Sequence, residues 1–196
     1  TDDMPKESAL YKNIKFFDND LNLSCEDVEI CSRNLLKKVP RNKNTKQQGI
    51  CILMSRNPYY IASVFASWNA GYFVIPLNTA WPLEKNLNII NRVKPSAVLV
   101  DDDIDLGKGI PALNKSQLFN SNCSDTSLRT EFRMRSLRES DIAYIIFTSG
   151  STGEPKGVVI SVGAFRSYID WTSRYFNSHK NSKRLLLTSE LTFDIT

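Results

Sequence analysis

Residues 147–157 read Phe-Thr-Ser-Gly-Ser-Thr-Gly-Glu-Pro-Lys-Gly. Four hydroxyl side chains, Thr148, Ser149, Ser151 and Thr152, are interleaved with Gly150, Gly153 and Gly157, and Lys156 stands near the end. Glycines let a backbone turn tightly and bring its N–H groups up to an anion, the hydroxyls add donors, and an ammonium adds a point charge. That set of groups suits a phosphate. Gly/Ser/Thr/Pro clusters also make ordinary surface turns and linkers. Order separates the two readings, because a buried-type strand, Ala143–Phe147, precedes the loop, Lys156 holds a defined place within it, and a second apolar run, Val158-Val159-Ile160, follows at once. A Walker loop requires Gly, four residues, then Gly-Lys-Ser/Thr; here Pro155 precedes Lys156 and Gly157 follows it, which excludes a P-loop NTPase.

The elements that must position this loop are legible as an alternation. Residues 1–20 are polar and form a lead-in with a possible short strand at Ile14–Phe17. Ser24 with Asp27 predicts a helix start, and Val28, Cys31, Leu35, Leu36 and Val39 recur at helical spacing up to Pro40. Gly49–Met54 predicts a strand, and Pro58 opens a helix whose inward face is Ile61, Val64, Phe65 and Trp68, ended by Gly71. Phe73–Leu77 is the next strand, Pro82–Val93 a helix with Leu83, Leu87, Ile90 and Val93 on one face, and Ala97–Val100 another strand. Short, continuous apolar strands alternating with helices predict an α/β fold with a largely parallel sheet covered by helices on both faces. Ligands of such sheets bind beyond the carboxyl ends of the strands, where the loop after Phe147 lies. Beyond it, Ser161 caps a predicted helix running to about Phe176, with Phe165, Tyr168, Ile169, Trp171 and Thr172 partly inward, and Lys183–Thr188 is a further strand.

Several other features carry less. The stretch 101–140 opens with Asp101-Asp102-Asp103, which reads as a solvated turn after a strand, since consecutive carboxylates point in different directions. His179, the single histidine, falls in a polar loop with no serine elbow or carboxylate near it in sequence, so it reads as a surface residue. Cys25, Cys31, Cys51 and Cys123 include no CxxC pair and no neighbouring histidine, which argues against zinc and for reduced thiols in a cytoplasmic protein. The net charge of +4 is spread over 25 basic and 21 acidic residues, with no basic stripe of the kind that binds nucleic acid. No apolar run approaches the roughly 20 residues of a membrane span. With 41% apolar residues in 196, the chain can bury a core.

The stretch Phe147–Gly157 resembles the phosphate-loop signature of the adenylate-forming enzymes, the acyl-CoA synthetases, luciferases, peptide-synthetase adenylation domains and D-alanine carrier-protein ligases. Leu21-Asn-Leu-Ser-Cys-Glu-Asp27 is similar to that family's opening strand and helix start, and Ala70-Gly-Tyr-Phe-Val-Ile-Pro-Leu-Asn-Thr-Ala-Trp-Pro82 to its AGxxxxPLxxxxP segment. The likeness runs from about Leu21 to Thr196. Amino-acid-activating members usually carry a glycine where this chain has Tyr72, and often a histidine near Val162. Phe193-Asp194-Ile195-Thr196 resembles the Phe-Asp-x-Ser segment of those same members, and Tyr168-Ile-Asp-Trp171 also resembles peptide-synthetase and D-alanine ligase sequences.

The resemblance implies binding of ATP with Mg2+ and formation of an acyl-adenylate with release of pyrophosphate. It implies that Thr148, Ser149, Gly150, Ser151, Thr152, Gly153, Lys156 and Gly157 hold the phosphates, with Lys156 catalytic through charge neutralisation. It implies Asp194 as the partner of a substrate ammonium, because a carboxylate in an apolar pocket would be left unpaired against a plain fatty acid. The expected partners are an amino acid or other small carboxylic acid and a carrier protein, in cis or in trans, whose phosphopantetheine accepts the product; no metal site of the chain's own, nucleic acid or membrane is expected. Residues 21–196 are expected to be the front of the large N-terminal region, lacking the segments for adenine, ribose, metal and the adenylation lysine. The alternatives are an acyl- or aryl-CoA synthetase, with Asp194 structural, and a non-catalytic nucleotide-binding or interaction protein.

Overall fold

A computed structural model describes residues 15–39, 47–107, 109–120, 137–149 and 155–176. Its eight strands and five helices follow in the order β1 (Lys15–Phe17), β2 (Asn22–Ser24), α1 (Cys25–Lys38), β3 (Gly49–Leu53), α2 (Pro58–Asn69), β4 (Phe73–Pro76), α3 (Leu83–Val93), β5 (Ala97–Val100), β6 (Ala112–Asn114), α4 (Lys115–Phe119), β7 (Ile142–Ser149), β8 (Pro155–Ser161) and α5 (Val162–Phe176). Strands β3 to β8 form one sheet in the order β6-β5-β3-β4-β7-β8, and β1 and β2 form a separate antiparallel pair. All neighbours in the six-stranded sheet are parallel except β7 and β8. The predicted α/β architecture is what forms.

Alternate residues of each central strand feed two different cores, as the pleat requires. Ile50, Ile52, Val74, Ala97 and Leu99 face α1 and α2, whereas Cys51, Leu53, Ile75, Val98 and Val100 face Ile89 and Ile90 of α3. Both faces are therefore covered, which is why β3 and β5 are apolar without interruption. At the start of α1 the Asp27 carboxylate accepts from the Ser24 amide at 2.7 Å and from its hydroxyl at 2.8 Å. Asn57 caps α2, accepting from the Tyr60 amide at 3.2 Å, with Pro58 in the first turn.

The helix faces differ in detail from the predicted ones. On α1, Leu36 is exposed, while Val28, Cys31 and Leu35 are buried together with Ser32 and Asn34. On α2 the fully buried stripe is small, Ala62, Ser63, Ala66 and Ser67, and Ile61, Val64, Phe65 and Trp68 are only partly covered. The small residues let α1 come close enough for the Ser32 hydroxyl to donate to the Ala66 carbonyl at 3.0 Å. On α3, Leu83 is exposed and Asn86 is buried in its place beside Ile89 and Ile90. Tyr168, Ile169 and Trp171 on α5 are exposed too; Phe165 packs inward, against Trp68 at 5.3 Å and Tyr144 at 5.7 Å between ring centroids.

Strand β6 and helix α4 have no counterpart in the sequence reading, which left 101–140 unassigned. They are held by polar contacts: Asn114 and Gln117 cap each other's backbone amides, and the buried Asn34 amide donates to the Leu118 carbonyl at 2.7 Å. The acidic triplet is put to structural use. Asp101 accepts from the amide and hydroxyl of Ser55, both at 2.6 Å, Asp102 lies 3.4 Å from the Lys115 ammonium, and Asp103 accepts from Asn114 at 2.7 Å. Tyr72 is buried, and its hydroxyl donates to the Val39 carbonyl at 3.3 Å, closing the core at the end of α1.

Candidate functional site

Strands β7 and β8 form an antiparallel hairpin at the edge of the sheet, and residues 150–154 join them. Because β7 runs parallel to β4, its carboxyl end at Thr148 and Ser149 lies at the same edge of the sheet as the carboxyl ends of β3, β4 and β5. Thr148 and Lys156, which lead into and out of the predicted phosphate loop, lie at that edge, where ligands of such sheets bind, while residues 150–154 themselves fall outside the described residues. Pairing runs from Ile142 opposite Ser161 through Phe147 opposite Gly157 to Thr148 opposite Lys156 and Ser149 opposite Pro155, with an irregularity between Ile142 and Tyr144.

Three of the predicted site residues have described surroundings. Thr148 and Lys156 are cross-strand partners and both are exposed, with the Thr148 hydroxyl at a long 3.5 Å from the Lys156 carbonyl. Among the described residues Lys156 makes no ion pair. One hydroxyl and one ammonium therefore stand side by side at the mouth of the loop, a donor set suited to an anion. Gly157 lies in β8 rather than in a turn, and it has a packing reason to be glycine. A Cβ placed there would sit 3.1 Å from Cζ of Phe147 and 3.3 Å from Cγ2 of Ile145, so the buried Phe147 ring occupies the space of the missing side chain. Ser149 closes β7, and Gly150, Ser151, Thr152 and Gly153 lie outside the described residues, as do Asp194, His179, Cys123 and the predicted strand Lys183–Thr188.

The hairpin is tied to the body of the protein by three side chains, Gln47, Arg92 and Trp68, of which the sequence marks only Trp68, as part of an inward helix face. The Gln47 amide pairs with both backbone groups of Ile142, donating at 2.7 Å and accepting at 2.8 Å. Trp68 Nε1 donates to the Ala143 carbonyl at 2.8 Å. Arg92 Nη1, from the last turn of α3, donates to the Pro155 carbonyl at 2.9 Å. No local signal marks such contacts, because each joins positions 63 to 95 residues apart.

Among the described residues there is no group of three or more His, Cys, Asp or Glu placed to hold a metal ion. Nor is any described helix long and apolar enough to cross a membrane. Cys31 and Cys51 are buried free thiols, and burial pushes both thiol pKa values far up, an effect that a hydrogen bond with Ser63 partly offsets at Cys31.

Comparison with known proteins agrees with this geometry. The model of the family described as AMP-binding enzyme matches residues 28–196. The chain is 28% identical over 148 residues, 74% of its length, to the beta-alanyl-bioamine nonribosomal peptide synthetase ebony of Drosophila melanogaster, and 30% identical over 140 residues, 71% of its length, to the D-alanine--D-alanyl carrier protein ligase of Staphylococcus haemolyticus. It spans 17% of the first of these relatives and 28% of the second. Its fold is like that of the nonribosomal peptide synthetase FmoA3, with a TM-score of 0.72 and 22% identity over 95% of this chain and 20% of that one. A largely parallel sheet clothed on both faces, a glycine- and hydroxyl-rich sequence following strand β7, and a family match over most of its length lead to one conclusion: the chain belongs to the AMP-binding enzyme family.

Proposed function

We propose that the protein to which this chain belongs activates a carboxylic acid, specifically an amino acid, by joining it to AMP and releasing pyrophosphate, and then passes it to the phosphopantetheine thiol of a carrier protein. The observation that carries this reading is the β7–β8 hairpin, which sets Thr148 and Lys156 side by side at the carboxyl edge of the sheet, flanking the loop 149–154. In the reaction the substrate carboxylate oxygen attacks the α-phosphorus of ATP, a new P–O bond forms, and the bond to the pyrophosphate oxygen breaks. Such chemistry needs positioning and neutralisation of charge more than covalent help from the protein. Thr148, the loop and Lys156 would hold the β- and γ-phosphates, and Mg2+ would enter as the partner of those phosphate oxygens.

The choice of an amino acid over a plain acid rests on Asp194 in the sequence Phe-Asp-Ile-Thr, and on two relatives whose names speak of alanyl groups. A carboxylate in an apolar pocket pairs with an ammonium and penalises a ligand that lacks one. The test is ATP/pyrophosphate exchange by the full-length protein across a panel of amino, aryl and fatty acids. Exchange driven by an amino acid, and lost in Asp194→Ala, is the expected result. Exchange with aryl or fatty acids and with no amino acid would instead make the protein a CoA-ligase-like enzyme with a structural Asp194. ATP binding without any exchange would make it a nucleotide-binding protein.

A further inference from the structure

Among the described residues, the hairpin that flanks the phosphate loop is the last pair of the sheet. Strand β8 pairs with β7 alone among the described strands, and its loop end begins with Pro155, which has no N–H to donate to a ladder. Besides the β4–β7 ladder near Tyr144, side-chain hydrogen bonds among the described residues reach the hairpin backbone at Ile142, Ala143 and Pro155; the first two lie at the far end from the loop, and the third is beside it. That third bond comes from Arg92.

The position of Arg92 is well determined by its own helix. Ile89 and Ile90 seat α3 against the sheet face that also holds Phe147. Its last turn is closed by Lys94 in a left-handed conformation, φ 47°, with the Lys94 amide donating to the Ile90 carbonyl at 2.9 Å. The guanidinium then reaches the Pro155 carbonyl, which belongs to the same peptide unit as the Lys156 nitrogen. A charge-assisted bond to that oxygen fixes the peptide plane from which Lys156 departs. Guanidinium presents several donors in a rigid fork, whereas a lysine in its place would offer a single flexible ammonium.

We infer that Arg92 is a positioning residue for the phosphate loop, holding the Pro155–Lys156 peptide so that Lys156 meets the pyrophosphate portion of the nucleotide. This inference rests on the adenylation reading given above. Arg92 touches neither nucleotide nor acid; it acts through the backbone of Pro155. Its effect should therefore fall on nucleotide handling and leave acid recognition alone.

The experiment uses the full-length protein with Arg92→Gln, Arg92→Lys and Lys156→Ala beside the wild type. Initial rates of ATP/pyrophosphate exchange are measured as functions of MgATP and of acid concentration, with inorganic pyrophosphate binding followed by calorimetry and the melting temperature recorded for each variant. Expected for Arg92→Gln is a KM for MgATP raised by about tenfold, the size of one charge-assisted hydrogen bond. Pyrophosphate affinity should weaken in parallel, the KM for the acid and the melting temperature should be unchanged, and Arg92→Lys should recover part of the loss. If Arg92→Gln matches the wild type while Lys156→Ala weakens MgATP, the inference is overturned and the adenylation reading stands. Equal loss of ATP and acid affinity with a lowered melting temperature overturns it too, making Arg92 a structural residue. A wild type without any exchange removes the adenylation reading and the inference with it.

Discussion

The side-chain amide of Gln47 pairs with the backbone of Ile142 as a strand would, its Nε2 donating to the Ile142 carbonyl at 2.7 Å and its Oε1 accepting from the Ile142 amide at 2.8 Å. The ladder between β4 and β7 registers Val74 against Tyr144, so on the β4 side the first residue of β7 is secured by this side chain in place of a strand, with Ser161 of β8 opposite it on the other side. Gln47→Ala leaves both backbone groups without these partners and should cost about 1–2 kcal/mol of stability, measured by urea unfolding. Gln47→Glu keeps an acceptor but loses the donor and should rescue less than half of the loss. Faster amide exchange at Ile142 in both variants would place the damage where the geometry does; full stability of Gln47→Ala would refute it.

Gly157 and Phe147 face each other across β7 and β8, and the ring fills the volume a side chain at 157 would need. Replacing glycine in an extended strand by alanine favours folding by about 0.4–1 kcal/mol through the unfolded chain. Overpacking against a buried ring works the other way, by about 1–3 kcal/mol. With the nearest ring atom at 3.1 Å the second effect should win, giving a net loss near 1 kcal/mol for Gly157→Ala and more for Gly157→Val. A Gly157→Ala protein more stable than the wild type in urea would show that the ring yields freely. Gly49 and Phe73 repeat the arrangement in β3 and β4, with a closer approach of 2.5 Å, so Gly49→Ala should be the more damaging of the two.

Asp101 joins the carboxyl ends of β5 and β3 by accepting from the amide and the hydroxyl of Ser55, and from Asn57, which itself caps α2, at 3.3 Å. Asp101→Ala should destabilise the protein by about 1 kcal/mol, a modest figure because the group is partly exposed. Asp101→Asn retains one acceptor oxygen and should fall between. Differential scanning calorimetry of the three proteins checks the order, and equal melting temperatures would mean the bracket contributes nothing.

The buried thiols of Cys31 and Cys51 should resist alkylation in the folded protein, and the partly exposed Cys25 should react before either of them. Burial raises the folded-state pKa of Cys31, Cys51 and the Tyr60 phenol. A raised folded pKa means that below the unfolded value, about 8.5 for a thiol, both states hold the proton and stability does not depend on pH through these groups. Above it the unfolded chain releases protons that the folded chain keeps, so stability should fall as pH rises from about 8.5 to 10. Urea midpoints across that range measure the slope; in Cys31→Ala with Cys51→Ala it should flatten, and an unchanged slope would assign it elsewhere.

The alternation of strands and helices outside 101–140 and the largely parallel character of the sheet follow from the sequence alone, as does the place of the glycine- and hydroxyl-rich loop after the strand Ala143–Phe147. Each depends on local signals: apolar periodicity, Pro58 at a helix start, the Ser24 and Asp27 pairing, and the run of glycines and hydroxyls after Phe147. Periodicity identifies a helix but mistakes its buried face where close packing favours small residues, so on α2 Ala62, Ser63, Ala66 and Ser67 are buried more fully than Ile61 and Phe65. Strand β6 and helix α4 escape it because they are short and held by amide contacts from Asn34, 84 residues away from Leu118. The same limit applies at the site. The types of residue that suit a phosphate are written consecutively from Thr148 to Gly157, but the ring that crowds Gly157 and the arginine that grips Pro155 come together only through strand pairing and helix docking. Local backbone preference acts over a few residues, whereas these contacts depend on where the chain returns, and that is decided by burial of the two faces of the sheet.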